Sequence, residues 1–290
     1  METLVMFGKF HKKRSGKRGT SPVISTVIMT GAIVAILCVA LVFANNLLWS
    51  RVAEGDFNSS KQLMQSVGLQ IDDVAWTVGR TETIRYASQY GEVVFVPSAL
   101  TYNVSVNDWE PEQYVTGALM FNLPISRYSI TNDYFERIFP AEDNNLTLTG
   151  TSAPVARVFV VEKLPMADGS YIRVVVVPAI RVLYSNITTG PPENLTTTHY
   201  IRMYLPVLNA GESPRLSQSI TLRGESLNAR TVNYVASIKV AVGFQEGSLF
   251  DFAFSMFPFD SKEDISVDFG DDDVVLEFYL SEVSVAFGVS

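Results

Sequence analysis

Few side chains in this chain of 290 residues suit acid–base or nucleophilic chemistry. It has two histidines, His11 and His199, and one cysteine, Cys38. A Ser/His/Asp or Cys/His catalytic set would have to use His199, because His11 lies in a basic N-terminal stretch, and the usual zinc sites need more Cys and His than are present. No GxGxxG or P-loop pattern occurs. We therefore predict no catalytic residue, no metal and no cofactor, and we expect His199 to be a surface residue.

A short acidic run near the C-terminus consists of Asp268, Asp271, Asp272 and Asp273. Carboxylates of this kind are ligands for calcium, but the run lacks the glycine and glutamate spacing of an EF-hand loop. We expect a solvated turn before a strand. Paired carboxylates can catalyse glycoside hydrolysis without histidine. The sequence therefore also leaves open that the protein is a membrane-tethered enzyme that acts outside the cell.

The charges are divided unevenly along the chain. Six of the 22 basic residues lie in the first 18 positions, where Glu2 is the only acidic residue, so residues 19–290 have a net charge of −13. Nucleic-acid binding depends on cationic groups that neutralise phosphates. This distribution argues against nucleic acid as a partner.

An apolar segment follows the basic leader. Residues 22–44 are rich in Val, Ile, Leu and Phe, and residues 19–50 carry no charge. As a helix, 23 residues rise about 34 Å, enough to cross a hydrocarbon core of about 30 Å once. With basic residues before the segment and acidic residues after it, we expect the N-terminus in the cytoplasm and the chain beyond about residue 50 outside.

The junction of leader and apolar segment reads Lys17-Arg18-Gly19-Thr20-Ser21-Pro22. It resembles the class III signal peptide of archaeal type IV pilin-like proteins. This resemblance implies that a prepilin-type peptidase cuts between Gly19 and Thr20 and leaves the apolar helix on the mature protein. Ile24 stands at the fifth position after that cut, where bacterial pilins have glutamate. The alternatives are an uncleaved single-pass anchor and a released protein cut after Ala44.

Beyond the membrane segment, an apolar stripe at helical spacing indicates an amphipathic helix over residues 51–79. We expect a bend near Gly55 and a helix end at Gly79. The stripe is predicted to pack against the head, with a short coiled coil as the alternative. Its members are Phe57, Met64, Val67, Ile71, Val74 and Val78.

From residue 80 to residue 290, short apolar and β-branched runs alternate with turn-rich stretches. This pattern is typical of an all-β head, and we predict one antiparallel β-sandwich-like domain without disulfides. The last run ends almost at the C-terminus, so we expect that strand to be part of a sheet.

Five Asn-X-Ser/Thr sequons lie in the part of the chain predicted to be outside. They are candidate N-glycosylation sites at Asn58, Asn103, Asn145, Asn186 and Asn194.

The sequence thus predicts a mainly β protein with one long N-terminal helix. Its segments are a leader (1–19), a transmembrane or filament-core helix (20–50), a stalk helix (51–79) and an extracellular head (80–290). The expected partners are the lipid bilayer, the prepilin-type peptidase and copies of the same chain in a surface filament used for adhesion or surface contact. A non-polymerising membrane protein whose head binds a surface-layer or envelope partner is the alternative.

Overall fold

The computed structural model describes residues 22–107, 109–141, 145–164, 169–212, 218–244, 262–270 and 272–288. Within these described residues, one helix, α1 (Pro22–Ala75), is followed by thirteen strands. The strands are β1 (Thr81–Arg85), β2 (Glu92–Val106), β3 (Glu112–Pro124), β4 (Tyr134–Phe139), β5 (Thr147–Thr149), β6 (Ala156–Glu162), β7 (Tyr171–Pro178), β8 (Ile180–Thr189), β9 (Thr196–Ala210), β10 (Ser219–Asn233), β11 (Ile238–Phe244), β12 (Lys262–Ile265) and β13 (Asp273–Phe287). The protein is therefore mainly β with one long N-terminal helix, as predicted.

The chain divides into two compact units, residues 1–49 and residues 50–290. In the first unit, the described residues belong to α1 and their side chains are exposed from Val23 to Trp49. This part is the one helix among the described residues that is long and apolar enough to cross a membrane, with a mean hydropathy of 2.8 in its most apolar window. Pro22 stands at the helix start, where the missing N–H of proline costs least.

The second unit contains the rest of α1 and both sheets. The helix runs without interruption through Gly55, and it ends at Ala75 rather than at Gly79. Gly79 has a φ of 83° and donates its N–H to the carbonyl of Gly224 at 2.8 Å. The helix stops early because the chain must turn at residues 76–80 to enter the sheet at β1.

In the part of the head that the structure describes, the strands form two sheets. The six-stranded sheet has the order β1-β10-β13-β9-β8-β5, and the seven-stranded sheet has the order β12-β11-β2-β3-β7-β6-β4. Most neighbours are antiparallel, but β13 pairs with β9 and β5 pairs with β8 in parallel. The parallel β9–β13 pair departs from the predicted antiparallel pattern, because β11 and β12 of the other sheet intervene and provide the long connection that parallel neighbours need.

One hydrophobic core lies between the two sheets. The seven-stranded sheet contributes Tyr102, Met120 and Phe159, and the six-stranded sheet contributes Met203 and Phe278. A second core lies between α1 and the sheets. It contains every residue of the predicted stripe except Val78. In this core, Phe57, Met64, Val67, Ile71 and Val74 pack with residues of β3, β6, β7, β10 and β13.

The two cores explain the continuous apolar runs in β6 and β7. Val174 and Val176 of β7 face α1, whereas Val175 and Val177 face the other sheet. Strands that are buried on both faces have no polar alternation. The stalk stripe packs against the head, as predicted, and Val78 is 60% exposed because it lies beyond the helix end.

The C-terminal strand is central. β13 lies between β10 and β9 and pairs with both along most of its length. The prediction that the last strand belongs to a sheet is therefore confirmed.

Candidate functional site

The predicted leader site, Lys17, Arg18, Gly19 and Thr20, lies outside the described residues.

The side chains of the apolar segment are exposed on every face, from Val23 to Trp49. Two side-chain hydrogen bonds lie within the helix: the Thr26 hydroxyl donates to the Val23 carbonyl at 2.9 Å, and Trp49 Nε1 donates to Asn45 Oδ1 at 2.5 Å. Cys38 is a free, exposed thiol within this segment. A helix that is apolar all round and pairs its backbone polar groups internally is suited to a hydrocarbon environment.

Within the second unit, Asp56 of α1 holds the connection between β1 and β2. Its carboxylate accepts hydrogen bonds from the Ser88 hydroxyl at 3.0 Å and from the backbone N–H groups of Gln89 and Tyr90 at 2.8 and 3.0 Å. Three donors on one carboxylate make a charge-assisted contact that fixes this loop against the helix.

A second polar contact joins α1 to β4. Lys61 Nζ lies 2.5 Å from Glu136 Oε2, and the Tyr134 hydroxyl donates to the same oxygen at 2.8 Å. Although partial burial works in the opposite direction, these hydrogen bonds hold the pKa of Glu136 below its ordinary value. The Lys61 ammonium also lies 4.7 Å from the centre of the Phe57 ring.

Near the end of α1, an arginine of β8 lies among aromatic rings. Arg181 Nη1 donates to Asp72 Oδ2 at 3.0 Å, and Trp76 Nε1 donates to the other oxygen of Asp72 at 2.7 Å. The guanidinium lies 4.9 Å from the centre of the Tyr204 ring, which stacks on Tyr279. The cluster ties the helix to the six-stranded sheet, and no local sequence pattern indicates it because its members are scattered over the chain.

His199 and the acidic run come together at one end of the sandwich. His199 Nε2 lies 3.2 Å from Asp272 Oδ2, and its ring stacks on Phe269 with centres 4.2 Å apart. Asp268 directly precedes Phe269, and Asp273 is the first residue of β13. Asp271 lies outside the described residues. In the described part of the chain, no group of three or more His, Cys, Asp or Glu side chains is arranged to hold a metal ion.

The five sequon asparagines differ in accessibility. Asn58 is exposed on α1, and Asn186 and Asn194 are exposed at the end of the β8–β9 hairpin. Asn145 is half-buried before β5. Asn103 is half-buried in β2 between β3 and β11, and its side-chain oxygen is shielded from solvent. An oligosaccharide requires an exposed asparagine, so this geometry favours Asn58, Asn186 and Asn194 over Asn103.

Comparison with family models, with curated proteins and with solved structures found no match to this chain.

Proposed function

We propose that this chain is a structural cell-surface protein of the type IV pilin-like kind. Its apolar N-terminal helix anchors it in the membrane before assembly and forms the filament core afterwards. Its β head lies outside the cell and makes contacts there.

The observation that carries this proposal is the difference in burial along α1. Between Val23 and Trp49 the apolar side chains are exposed. In contrast, Phe57, Met64, Val67 and Ile71 of the same helix are at most 3% exposed within the head. One part of the helix therefore belongs to the fold of the head, and the other presents apolar surface that needs lipid or other helices to cover it.

The leader supports the orientation and the processing. Its basic residues favour a cytoplasmic N-terminus. The small residue Gly19 after the basic pair Lys17-Arg18 suits a peptidase that acts at the cytoplasmic face, because glycine presents no side chain to the cleft. Removal of the leader would leave Thr20 as the mature N-terminus.

Assembly follows from the hydrophobic effect. When the helix leaves the bilayer, its apolar surface can be covered again by helices of other copies. The head then lies at the filament surface, where the exposed sequons Asn58, Asn186 and Asn194 are candidates for glycans.

The first experiment is mass spectrometry of the N-terminal peptide of the native protein extracted from membranes. A start at Thr20 supports pilin-type processing, whereas a start at Met1 contradicts it and leaves an ordinary signal-anchored protein. A chain that lacks residues 1–49 serves as the control for anchoring. We expect it in the soluble fraction, and membrane association of that chain would reveal a second anchor.

Electron microscopy of cells that express the chain with prepilin-type assembly machinery tests polymerisation. Filaments labelled by an antibody to the head support the proposal. A processed, surface-exposed protein without filaments would favour the alternative, a single-pass protein whose head binds an envelope partner.

A further inference from the structure

The head encloses α1 soon after the exposed apolar segment ends. Leu47 and Leu48, near the end of that segment, are 62% and 63% exposed. In contrast, Ala53 is 0% exposed and Phe57 is 3% exposed. Ala53 follows Leu48 by five residues, which is a rise of about 7.5 Å in a helix. Only residues 49–52 therefore separate the exposed leucines from the enclosed part of the helix.

This short spacing is close to the thickness of a lipid headgroup layer. A hydrocarbon core of about 30 Å within a bilayer of about 40–45 Å leaves about 5–7 Å for the headgroups on each side. About twenty helical residues cross the core, and residues 29–48 are uncharged. If lipid covers the helix up to Leu48, the surface of the head around Ala53 lies at the outer boundary of the headgroups.

Two connections of the head lie against this first enclosed part of α1. The Asp56 carboxylate accepts hydrogen bonds from residues 88–90, between β1 and β2. Phe57 packs on Tyr128, which follows β3, with ring centres 5.2 Å apart. Both connections are thus fixed close to the point where α1 enters the head. We call residues 50–57, 86–91 and 124–130 the helix-entry face.

The helix-entry face carries side chains that suit the boundary between membrane and water. Arg127 is exposed, and its guanidinium carbon lies 5.0 Å from the centre of the half-buried Tyr90 ring. The planar guanidinium binds phosphate through paired N–H donors, and tyrosine is enriched at the level of the headgroups. Arg127 and Tyr90 together therefore match the chemistry of a phospholipid headgroup layer.

The charge of the helix-entry face permits this contact. The charged residues of its three segments, all of which are described, are Arg51, Glu54, Asp56 and Arg127. Glu54 accepts a hydrogen bond from Arg51 at 2.8 Å, and Asp56 accepts its three bonds from the β1–β2 connection. Two basic and two acidic residues make the face neutral, whereas residues 19–290 have a net charge of −13. This part of an acidic head can therefore approach lipid phosphates.

We propose that the head rests directly on the membrane through the helix-entry face, with Arg127 bound to lipid phosphate. Lipid is favoured over a protein partner because the apolar surface that lipid covers ends about 7.5 Å along α1 from Ala53. This inference rests on the proposed function, because α1 must be anchored in a bilayer. The contact would fix the orientation of the head relative to the membrane.

Fluorescence quenching in vesicles tests the contact. The full-length Cys38→Ala chain is reconstituted in vesicles of phosphatidylcholine and phosphatidylglycerol. A bimane label is attached at Ser126→Cys on the helix-entry face or, as a control, at Ser152→Cys. Lipids that carry a nitroxide on the headgroup should quench the label at residue 126 several-fold more strongly than the label at residue 152.

Ser152 is a matched control because it is an exposed serine near the other end of α1. It precedes Ala153, whose carbonyl accepts a hydrogen bond from Arg181 at 3.4 Å. Arg181 also donates to Asp72 at 3.0 Å. Because Asp72 lies nineteen residues after Ala53, the rise along α1 between them is about 28 Å. A label at residue 152 is therefore distant from the helix-entry face.

Arg127→Glu tests the contact with phosphate. Charge reversal should reduce the quenching of the label at residue 126 by about twofold or more, as expected for the loss of an exposed ion pair. Arg223→Glu is the control, since Arg223 is an exposed arginine of β10 beside the end of α1. An equal effect of the two substitutions would contradict the role of Arg127.

Flotation of the vesicles in the same samples reads anchoring separately. A chain that does not float with the vesicles would contradict the proposed function and this inference together. A chain that floats but shows equal quenching at residues 126 and 152 would overturn only the contact between head and lipid. Disulfide formation between unlabelled Ser126→Cys chains, in place of quenching, would identify a second copy as the partner of this face and would also overturn the proposal.

Discussion

Gly224 lies directly against Val74 at the end of α1. A Cβ atom built on Gly224 would be 2.6 Å from the Val74 carbonyl oxygen and 2.7 Å from the Thr77 carbonyl oxygen. The backbone of β10 thus approaches the end of the helix more closely than any other residue type would allow. Next to it, the Ser281 hydroxyl of β13 donates to the carbonyl of Ala75, so the final carbonyl of the helix is satisfied by the sheet.

Replacement of Gly224 by alanine should destabilise the head by about 1–3 kcal/mol, because two backbone carbonyls must move to admit the methyl group. Gly243→Ala in β11 is the control, since its nearest atom is the Thr101 carbonyl oxygen at 3.9 Å. Chemical denaturation of both variants in detergent measures the effect. Equal free energies of unfolding for the two variants would contradict the close contact between Gly224 and the carbonyl oxygens of Val74 and Thr77.

Removal of the Asp56 carboxylate should loosen the connection between β1 and β2. Asp56→Ala leaves the N–H groups of Gln89 and Tyr90 without their acceptor, and we expect a loss of about 1–2 kcal/mol. Asp73→Ala on the same helix removes a partly exposed ion pair with Arg80 and should cost less than about 1 kcal/mol. Hydrogen exchange at residues 88–90 should increase in the first variant only; unchanged protection there would argue against the role given to Asp56.

The contact between Lys61 and Glu136 should make part of the stability depend on pH. Because the pKa of Glu136 is lowered in the folded protein, its contribution is fully present above the ordinary value of 4.5 and declines as the pH falls through the folded value. Glu136→Gln should remove this contribution. The difference in unfolding free energy between the native protein and this variant should be constant from pH 7 to about pH 5 and shrink at lower pH; a difference that does not change down to pH 3 would contradict it.

Replacement of Gly19 by phenylalanine should block removal of the leader, because the scissile bond follows this residue in the resemblance to pilin-like proteins. The variant should accumulate as a species that retains residues 1–19, detected by intact-mass measurement. Ser15→Phe, four residues earlier in the leader, is the matched control and should be processed normally. Normal maturation of the Gly19 variant would place the cleavage site elsewhere.

Glycan occupancy should follow exposure rather than the sequon pattern alone. We expect modified peptides that contain Asn186 and Asn194, and an unmodified peptide that contains Asn103, because β3 and β11 flank that position in the sheet. Glycopeptide mass spectrometry of the native protein checks this. A fully modified Asn103 would require that β2 be accessible before the sheet closes.

Local patterns in the sequence predicted the helix, the β-rich head and the buried stripe from Phe57 to Val74. These features depend on periodicity and composition, which neighbouring residues express on their own. The same reasoning predicted that the last strand belongs to a sheet. It placed the helix end at Gly79, whereas the helix ends at Ala75. The reason is that Gly224, which is far from Gly79 in the sequence, holds the turn into β1 by accepting the Gly79 N–H.

Only the tertiary structure decided which elements lie side by side. The parallel pairing of β9 with β13, the carboxylate of Asp56 beneath residues 88–90, and the packing of Arg181 between Trp76 and Tyr204 join residues far apart in sequence. The sequence alone determined where apolar surface must be buried, since burial follows from side-chain chemistry; which surfaces meet depends on the path of the whole chain.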